Sequence, residues 1–151
     1  MTNVHRIGLA RDLYERGQSG RPIRIGLIGC GEMGTDILSQ VGHMHGIEVV
    51  AVANRRVENV AKASEMATGQ TDRVQVADTA PALMAAIEAG KIAATADAAL
   101  VARNPLVDVV IDATGRPGVG AEIGLMAMQH GKHLVMMNVE ADVTIGAYLK
   151  H

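Results

Sequence analysis

Two kinds of segment alternate along the chain. Some are continuous runs of apolar residues, and in the others apolar residues recur at helical spacing. Residues 23–29 (IRIGLIG) predict a first strand that is buried on both faces, as in a parallel sheet. Apolar residues then recur every three or four positions up to Gly46, which indicates a helix that ends at that glycine. Residues 47–53 (IEVVAVA) predict a second strand, and a second helix closes at Gly69. The chain therefore begins with a β-α-β-α unit.

The same alternation continues to the end of the sequence. The remaining predicted elements are a short strand at 74–77, a helix at 81–90, a short strand near 92–96, a small helix at 97–103, a fourth main strand at 107–115, a helix at 118–131 and a fifth strand at 133–138. This order indicates an α/β protein with a Rossmann-type doubly wound parallel sheet. Because a full dinucleotide-binding fold has about six strands, we expect the chain to be truncated before the sixth strand and the substrate domain.

The first 20 residues are predicted to form a helix and a linker. Apolar residues at three- and four-residue spacing predict an amphipathic helix over 3–16 despite Gly8, and GQSGRP then breaks the pattern. Residues 21–151 are interpreted as one partial nucleotide-binding domain. The catalytic domain is expected to be absent from this chain.

Composition narrows the class of protein. The chain has 151 residues, of which 48% are hydrophobic, with no Phe or Trp, so small aliphatic side chains must fill the core. A net charge of −2 with mixed signs argues against a nucleic-acid surface. The single cysteine, Cys30, excludes an internal disulfide and fits a reducing compartment, so we expect a cytoplasmic protein. The charged N-terminal region lacks an apolar stretch of signal or transmembrane length, and no membrane partner is expected.

Three glycines between the first strand and its helix carry the strongest local signal. Gly29, Gly31 and Gly34 have the GxGxxG spacing, directly after a buried strand and at the start of a helix. Gly29 would permit the tight turn, Gly31 would leave room for a pyrophosphate, and Gly34 would let the helix lie close to the sheet. The alternative is an ordinary strand-to-helix turn.

The residues between these glycines would also contact a dinucleotide. Unpaired N–H groups near Glu32 and Met33, at the helix N-terminus, are expected to bind phosphate oxygens. The Glu32 carboxylate would repel a pyrophosphate, so we expect it to point to solvent. Cys30 lies close to the expected phosphates and is interpreted as a buried, inert thiol rather than a reactive one.

The end of the second strand predicts which cofactor binds. NAD-binding units usually carry an acidic residue here, whereas a 2′-phosphate needs positive charge. This chain has Asn54, Arg55 and Arg56, and Asn54 lies 54 − 29 = 25 positions after the first glycine. Two adjacent guanidinium groups and no acid favour NADP(H). Solvated loop arginines are one alternative. An S-adenosylmethionine-dependent methyltransferase is another, although it too would generally need the acid.

Two further stretches carry a family resemblance. GLIGCGEMGTDI and NPLVDVVIDATGRPGVGAEIGLMAMQHGKHLVMMNVEADVTIGAYLK resemble the nucleotide-binding half of homoserine-dehydrogenase-like oxidoreductases, most closely the bacterial 1-deoxy-D-xylulose 5-phosphate reductoisomerase-like subgroup. The resemblance implies that Ala113, Thr114 and Gly115 pass beside the cofactor and that the segment at Asn138 runs toward the nicotinamide. Arg116 could reach a phosphate or remain exposed.

One departure from the family concerns the substrate. Homoserine dehydrogenases typically have a lysine after this asparagine, where it assists proton transfer, but here Val139 and Glu140 follow Asn138. Valine cannot move a proton, so the resemblance favours the reductoisomerase-like activity, with NADPH and a divalent metal, over homoserine oxidation. The catalytic and metal-binding residues would then lie in the missing domain, together with the site for a small substrate.

Two other functions remain open at this stage. The chain could belong to a homoserine-dehydrogenase-like oxidoreductase with another small substrate, or to a non-catalytic module that senses NADP(H). No catalytic or metal-ligating residue is assigned within the chain. His43 and His45 are expected to interact with the helix C-terminus or solvent rather than to bind a metal, and His130 and His133 are interpreted as structural. The last strand is predicted to have an unpaired edge, which makes a homo-oligomer possible.

Overall fold

A computed structural model describes residues 7–69 and 72–150, which form one α/β unit around a six-stranded sheet. Every strand pairs in parallel with its neighbours, in the order β3-β4-β2-β1-β5-β6. The strands are β1 (Ile23–Ile28), β2 (Ile47–Ala53), β3 (Val74–Val76), β4 (Ile92–Thr95), β5 (Val109–Asp112) and β6 (His133–Met136).

The expectation that the chain stops before a sixth strand is wrong. Both short segments, β3 and β4, are full members of the sheet: β4 pairs with β2, and β3 pairs with β4. The strand at Val109–Asp112 is therefore the fifth in sequence, and the strand at His133–Met136 is the sixth. The length of an apolar run does not show whether a segment belongs to the sheet, because β3 has only three residues and no buried side chain.

Helices cover both faces of the sheet. They are α1 (Leu9–Gln18), α2 (Glu32–Gly42), α3 (Glu58–Thr68), α4 (Ala80–Glu88), α5 (Ala98–Ala102), α6 (Pro117–Gln129) and α7 (Val139–Leu149). Helices α2 and α3 bury Leu38 and Val60 in one core cluster, and α4, α5 and α6 bury Leu83, Val101 and Ile123 in the other. The predicted doubly wound architecture is therefore present, with a core on each side of the sheet.

The first helix differs from its predicted bounds. It begins after Gly8, whose φ of +58° is incompatible with a continuing right-handed helix, and ends at Gln18. Residues 3–6, the start of the predicted helix over 3–16, lie outside the described residues. No residue of α1 is fully buried, and Tyr14 makes an edge-to-face contact with His45 at 5.6 Å between ring centroids. The helix therefore packs on the turn between α2 and β2 rather than on the sheet.

The sheet order also determines where a ligand can bind. From β1 the chain first builds outward through β2, and it then crosses to the other side of β1 to form β5. Between the carboxyl ends of β1 and β5 the connecting helices leave in opposite directions, which opens a crevice in folds of this type.

Candidate nucleotide-binding site

A cavity of about 320 Å³ lies at the carboxyl ends of β1, β2 and β5. Its position is the crevice that the strand order predicts. Its walls come from the glycine turn, the end of β2, the start of α5 and the loop after β5. The lining residues are Ile28, Gly29, Cys30, Gly31, Ala53, Asn54, Arg55, Ala96, Ala98, Ala113, Thr114, Arg116 and Val119.

Two of the three motif glycines hold the backbone close to its neighbours. Gly29 has a φ of +94°, and a Cβ there would lie 2.8 Å from the carbonyl oxygen of Ala113. A Cβ on Gly34 would collide with the carbonyl oxygen of Gly29. Neither position can therefore take a side chain without moving the backbone, because Gly29 lies against the loop after β5 and the first turn of α2 lies against Gly29.

The middle glycine is open instead. A Cβ on Gly31 would have no heavy atom within 4 Å, and Gly31 lines the cavity. Gly31 also precedes α2 without supplying a side-chain cap, so the N–H groups of the first helical turn, at Glu32 and Met33, are available to a ligand. Both residues are exposed, and neither side chain lines the cavity. The site thus offers space and backbone donors where a diphosphate would need them.

Asn54 ties the glycine turn to the loop after β2. Its Oδ1 accepts a hydrogen bond from the backbone N–H of Cys30 at 3.1 Å, and its Nδ2 donates to the carbonyl oxygen of Arg56 at 2.8 Å. Both ends of the side-chain amide are therefore engaged within the protein. The amide fixes the loop that carries the two arginines relative to the turn.

Arg55 and Arg56 border a second cavity of about 320 Å³ that adjoins the first. Cys30, Gly31, Asn54 and Asn59 complete its walls. Both arginines are exposed, and no ion pair holds either guanidinium within the part of the chain that the structure describes. This cavity continues the crevice toward two free positive charges.

The loop after β5 forms the opposite wall. Ala113 and Thr114 line the first cavity, and Gly115 turns the chain with a φ of +60° without lining it. The Thr114 hydroxyl accepts a hydrogen bond from the backbone N–H of Arg116 at 3.3 Å. Arg116 then precedes α6 and does line the cavity.

Asn138 lies behind this loop and does not line either of the two cavities. It is 1% exposed and caps α7, where its Oδ1 accepts from the N–H of Ala141 at 3.3 Å. Its Nδ2 lies 3.0 Å from a carboxylate oxygen of Asp112 and 2.9 Å from the carbonyl oxygen of Arg116. Asn138 thus supports the loop after β5, and its predicted position near the nicotinamide stays a prediction.

Asp112 is the residue that the sequence interpretation missed. It is completely buried, and its second carboxylate oxygen accepts from the N–H of Thr114 at 3.0 Å. A charged residue at the end of the apolar run VDVVID was the available signal, because a buried carboxylate needs dedicated donors. Asp112 and Asn138 together fix the cavity wall formed by Thr114 and Arg116.

Cys30 is buried between the glycines. Burial raises the pKa of its thiol above the ordinary value, and a hydrogen bond with the Thr35 side chain partly opposes this shift. The neutral thiol is therefore the form at physiological pH. Its backbone N–H is already used by Asn54.

Residues 7–69 and 72–150 contain neither a cluster of metal ligands nor a membrane-spanning helix. No three His, Cys, Asp or Glu side chains there come together as metal ligands would. None of the helices in these ranges combines the length and apolar character needed to cross a membrane.

Comparison with known families identifies what kind of domain carries this site. Residues 29–148 match the family model described as the NAD-binding domain of homoserine dehydrogenase. The chain belongs to this family. It is 30% identical over 118 residues to homoserine dehydrogenase from Methylobacillus glycogenes, an alignment that covers 78% of the chain but 25% of that enzyme. The chain thus spans about a quarter of the length of this curated relative.

Solved structures give the same fold for this NAD-binding domain. A homoserine dehydrogenase from Thiobacillus denitrificans superposes with a TM-score of 0.57 and 20% identity, covering 85% of this chain and 26% of that one. Scyllo-inositol dehydrogenase from Lactobacillus casei, solved with NAD(H) and scyllo-inositol, gives 0.53 and 15%, covering 85% and 34%. These likenesses concern the fold, and it is the family match that agrees with the predicted oxidoreductase class. They do not favour the reductoisomerase-like subgroup over homoserine-dehydrogenase-like proteins in general.

Proposed function

We propose that the chain is the NADP(H)-binding domain of a homoserine-dehydrogenase-like oxidoreductase that acts on a small substrate held by another part of the protein. The family and the crevice geometry support a nicotinamide dinucleotide as the ligand. The preference for NADP(H) over NAD(H) is argued from the loop after β2, which would bind the extra phosphate.

The observation that carries this assignment is the position of Arg55 and Arg56 beside the glycine turn, with no ion pair to any residue of the described ranges. A cavity connects Gly31 to Arg55 and Arg56, and the residue at the end of β2 is an amide whose oxygen already accepts from Cys30. A guanidinium can hold a phosphate through two hydrogen bonds, which a ribose hydroxyl does not require. The 2′-phosphate would then lie in the second cavity and the diphosphate at Gly31.

The chain's own residues would hold and orient the dinucleotide. The first turn of α2 donates N–H groups to the diphosphate, and Gly31 leaves room for it. Thr114 and Arg116 form the wall on the β5 side, where Asp112 and Asn138 fix them. When bound, the nicotinamide ring would supply hydride transfer to or from a carbon of the substrate.

A second candidate is the reductoisomerase-like activity, in which a sugar phosphate is rearranged and then reduced with NADPH. Val139 favours it, because this residue occupies the first position of α7 where the family resemblance implies a proton-transferring lysine. Its side chain is 67% exposed and has no titratable group. Homoserine would therefore need a proton acceptor other than residue 139.

Nucleotide titration of the chain tests the cofactor assignment. We expect wild-type chain to bind NADPH more tightly than NADH, and R55A/R56A to weaken NADPH by about tenfold or more while NADH changes little. R11A/R103A removes the same charge at exposed positions outside both cavities and should leave both affinities unchanged. Equal losses of NADPH and NADH in R55A/R56A would contradict the 2′-phosphate assignment.

Turnover by the whole protein distinguishes the candidate activities. NADPH oxidation with 1-deoxy-D-xylulose 5-phosphate would support the reductoisomerase-like function, and oxidation with aspartate semialdehyde would support a homoserine-dehydrogenase-like one. Tight NADPH binding without turnover of a broad set of small carbonyl substrates would instead indicate the sensing module.

A further inference from the structure

A second group of cavities lies at the opposite rim of the sheet, where the strands begin. One has a volume of about 370 Å³ and contacts the first residues of β1, β5 and β6, which are Ile23, Val109 and His133. An adjoining cavity of about 280 Å³ extends toward the linker after α1, past Gly20 and Arg21. Arg16, Pro105 and Asp108 line both cavities. We call the two together the basal groove.

The basal groove is strongly positive in a chain that is slightly negative. Its walls carry four cationic side chains (Arg16, Arg21, Arg24 and Lys132) and one carboxylate (Asp108), a balance of 4 − 1 = +3 with His133 neutral. The whole chain has a net charge of −2. The groove is therefore more positive than the chain as a whole.

The opposing carboxylates leave most of this positive charge free. Asp108 accepts a hydrogen bond from the backbone N–H of Arg24 at 2.8 Å, and the Arg24 side chain pairs with Glu48 at 3.7 Å. Arg16 and Arg21 have no ion pair within the described ranges. Burial lowers the pKa of Lys132, and the Asp108 carboxylate partly opposes this shift. An anion bound beside Lys132 would therefore also stabilise its charged ammonium group.

The shape and size of the groove select a small ligand. A volume of 370 Å³ is near the lower end of the range for small-molecule sites, roughly 300–1,000 Å³. The groove is recessed between the linker after α1, the loop at Pro105 and the turn at Gly131. An extended polyanion such as nucleic acid would meet the net negative charge around it, which disfavours that class.

We propose that the basal groove binds a small anion with two phosphate groups, at a site separate from the nucleotide crevice. Arg16 and Arg21 would hold one phosphate through paired hydrogen bonds, and Lys132 would contact the other. The strands run in parallel from this rim to the nucleotide site, so the two ligands would lie at opposite ends of β1 and β5. Binding would also connect the last turn of α1 to the α6–β6 turn.

Titration of the 151-residue chain with inorganic pyrophosphate, followed by amide NMR, tests the proposal. Pyrophosphate could also bind at the glycine turn, so the amides of Gly20 and Gly131 report the basal groove and that of Gly31 reports the nucleotide site. We expect saturable shifts at Gly20 and Gly131, with slower hydrogen exchange in α1. The result does not depend on whether the nucleotide is NADPH.

Charge-matched variants separate a site from a general salt effect. R16A/R21A should weaken pyrophosphate at the groove by about tenfold or more, and K132Q should weaken it as well. R11A/K62A removes two exposed cations that do not line the groove and should change the affinity less than twofold. Circular dichroism of R16A/R21A checks that α1 is retained without Arg16 in its last turn.

Any one of the following results would overturn the proposal. The first is a set of shifts confined to the glycine turn. The second is a linear response that sodium chloride of the same ionic strength reproduces, which would indicate screening only. The third is an equal loss in R16A/R21A and R11A/K62A, or tighter binding of a short DNA duplex than of pyrophosphate at the same salt concentration.

Discussion

Gly31 and Gly34 lie three residues apart but are constrained in opposite ways. Gly31 faces open space in the cavity, whereas a side chain on Gly34 would meet the Gly29 carbonyl oxygen. The motif spacing predicts both glycines without distinguishing their roles. The contacts show that one is available to a ligand and that the other is required for packing.

We therefore expect G31V and G34A to fail in different ways. G31V should keep the stability of the fold but weaken NADPH and NADH alike, by about tenfold or more, because its side chain occupies the space of the diphosphate. G34A should cost roughly 1–3 kcal/mol of unfolding free energy, as overpacking does. Urea unfolding and nucleotide titration of both variants check this. A stable G31V with unchanged affinities would exclude a diphosphate at this turn.

Cys30 gives a second prediction, which concerns pH. Because the pKa of its thiol is raised, alkylation by iodoacetamide should be slow at pH 7 and accelerate only above the ordinary thiol pKa of about 8.5. The neutral thiol stabilises the fold below that pH, and this contribution falls as the pH rises through the folded pKa. Bound NADPH should slow labelling further, since Cys30 lines the cavity. The urea-unfolded chain is the control, and fast labelling of the folded chain at pH 7 would contradict the burial.

At the scale of elements, the alternation of strands and helices was predictable because each element has its own hydrophobic period. The sequence did not predict that β3 and β4 belong to the main sheet, because both are short and only their pairing shows it. The glycine turn followed from local chemistry. The link between Asp112 and Asn138 could not be predicted, because it joins the ends of two strands that are 26 positions apart in sequence.

The Asn138 cap of α7 should contribute more to the free energy of unfolding than an ordinary helix cap does. N138A removes the hydrogen bond to Ala141 and also leaves Asp112 without one of its buried donors, so we expect a loss of about 2–4 kcal/mol. Thr79 caps α4 at an exposed position, and T79A should cost about 1 kcal/mol or less. Chemical denaturation of the two variants measures the difference. Similar losses would mean that the contact with Asp112 contributes nothing.

For the whole molecule, one of the two incompletely covered sheet edges is at β6. This strand pairs only with β5, and its Val135 is 42% exposed. The neighbouring α7 exposes Val143 and Tyr148. An uncovered edge with apolar side chains favours association with another surface.

We accordingly expect the isolated chain to self-associate as its concentration rises. V135K/V143K should shift the population toward monomer, because lysine blocks edge pairing and removes apolar contact area. M66K changes a methionine that is 80% exposed on α3, away from this edge, and should have little effect. Sedimentation velocity distinguishes these outcomes, and a wild-type chain that stays monomeric at high concentration would refute the expectation.

The double engagement of Asn54 has a consequence for cofactor engineering. An Asn54→Asp exchange, the obvious route to NADH use, would put a carboxylate against the Arg56 carbonyl oxygen in place of the amide donor. Electrostatic repulsion would then displace the very loop that must be kept in position. Switching coenzyme preference in this scaffold therefore requires redesigning the whole 54–56 segment together, and single-site libraries at its first residue should yield weaker binders rather than inverted ones.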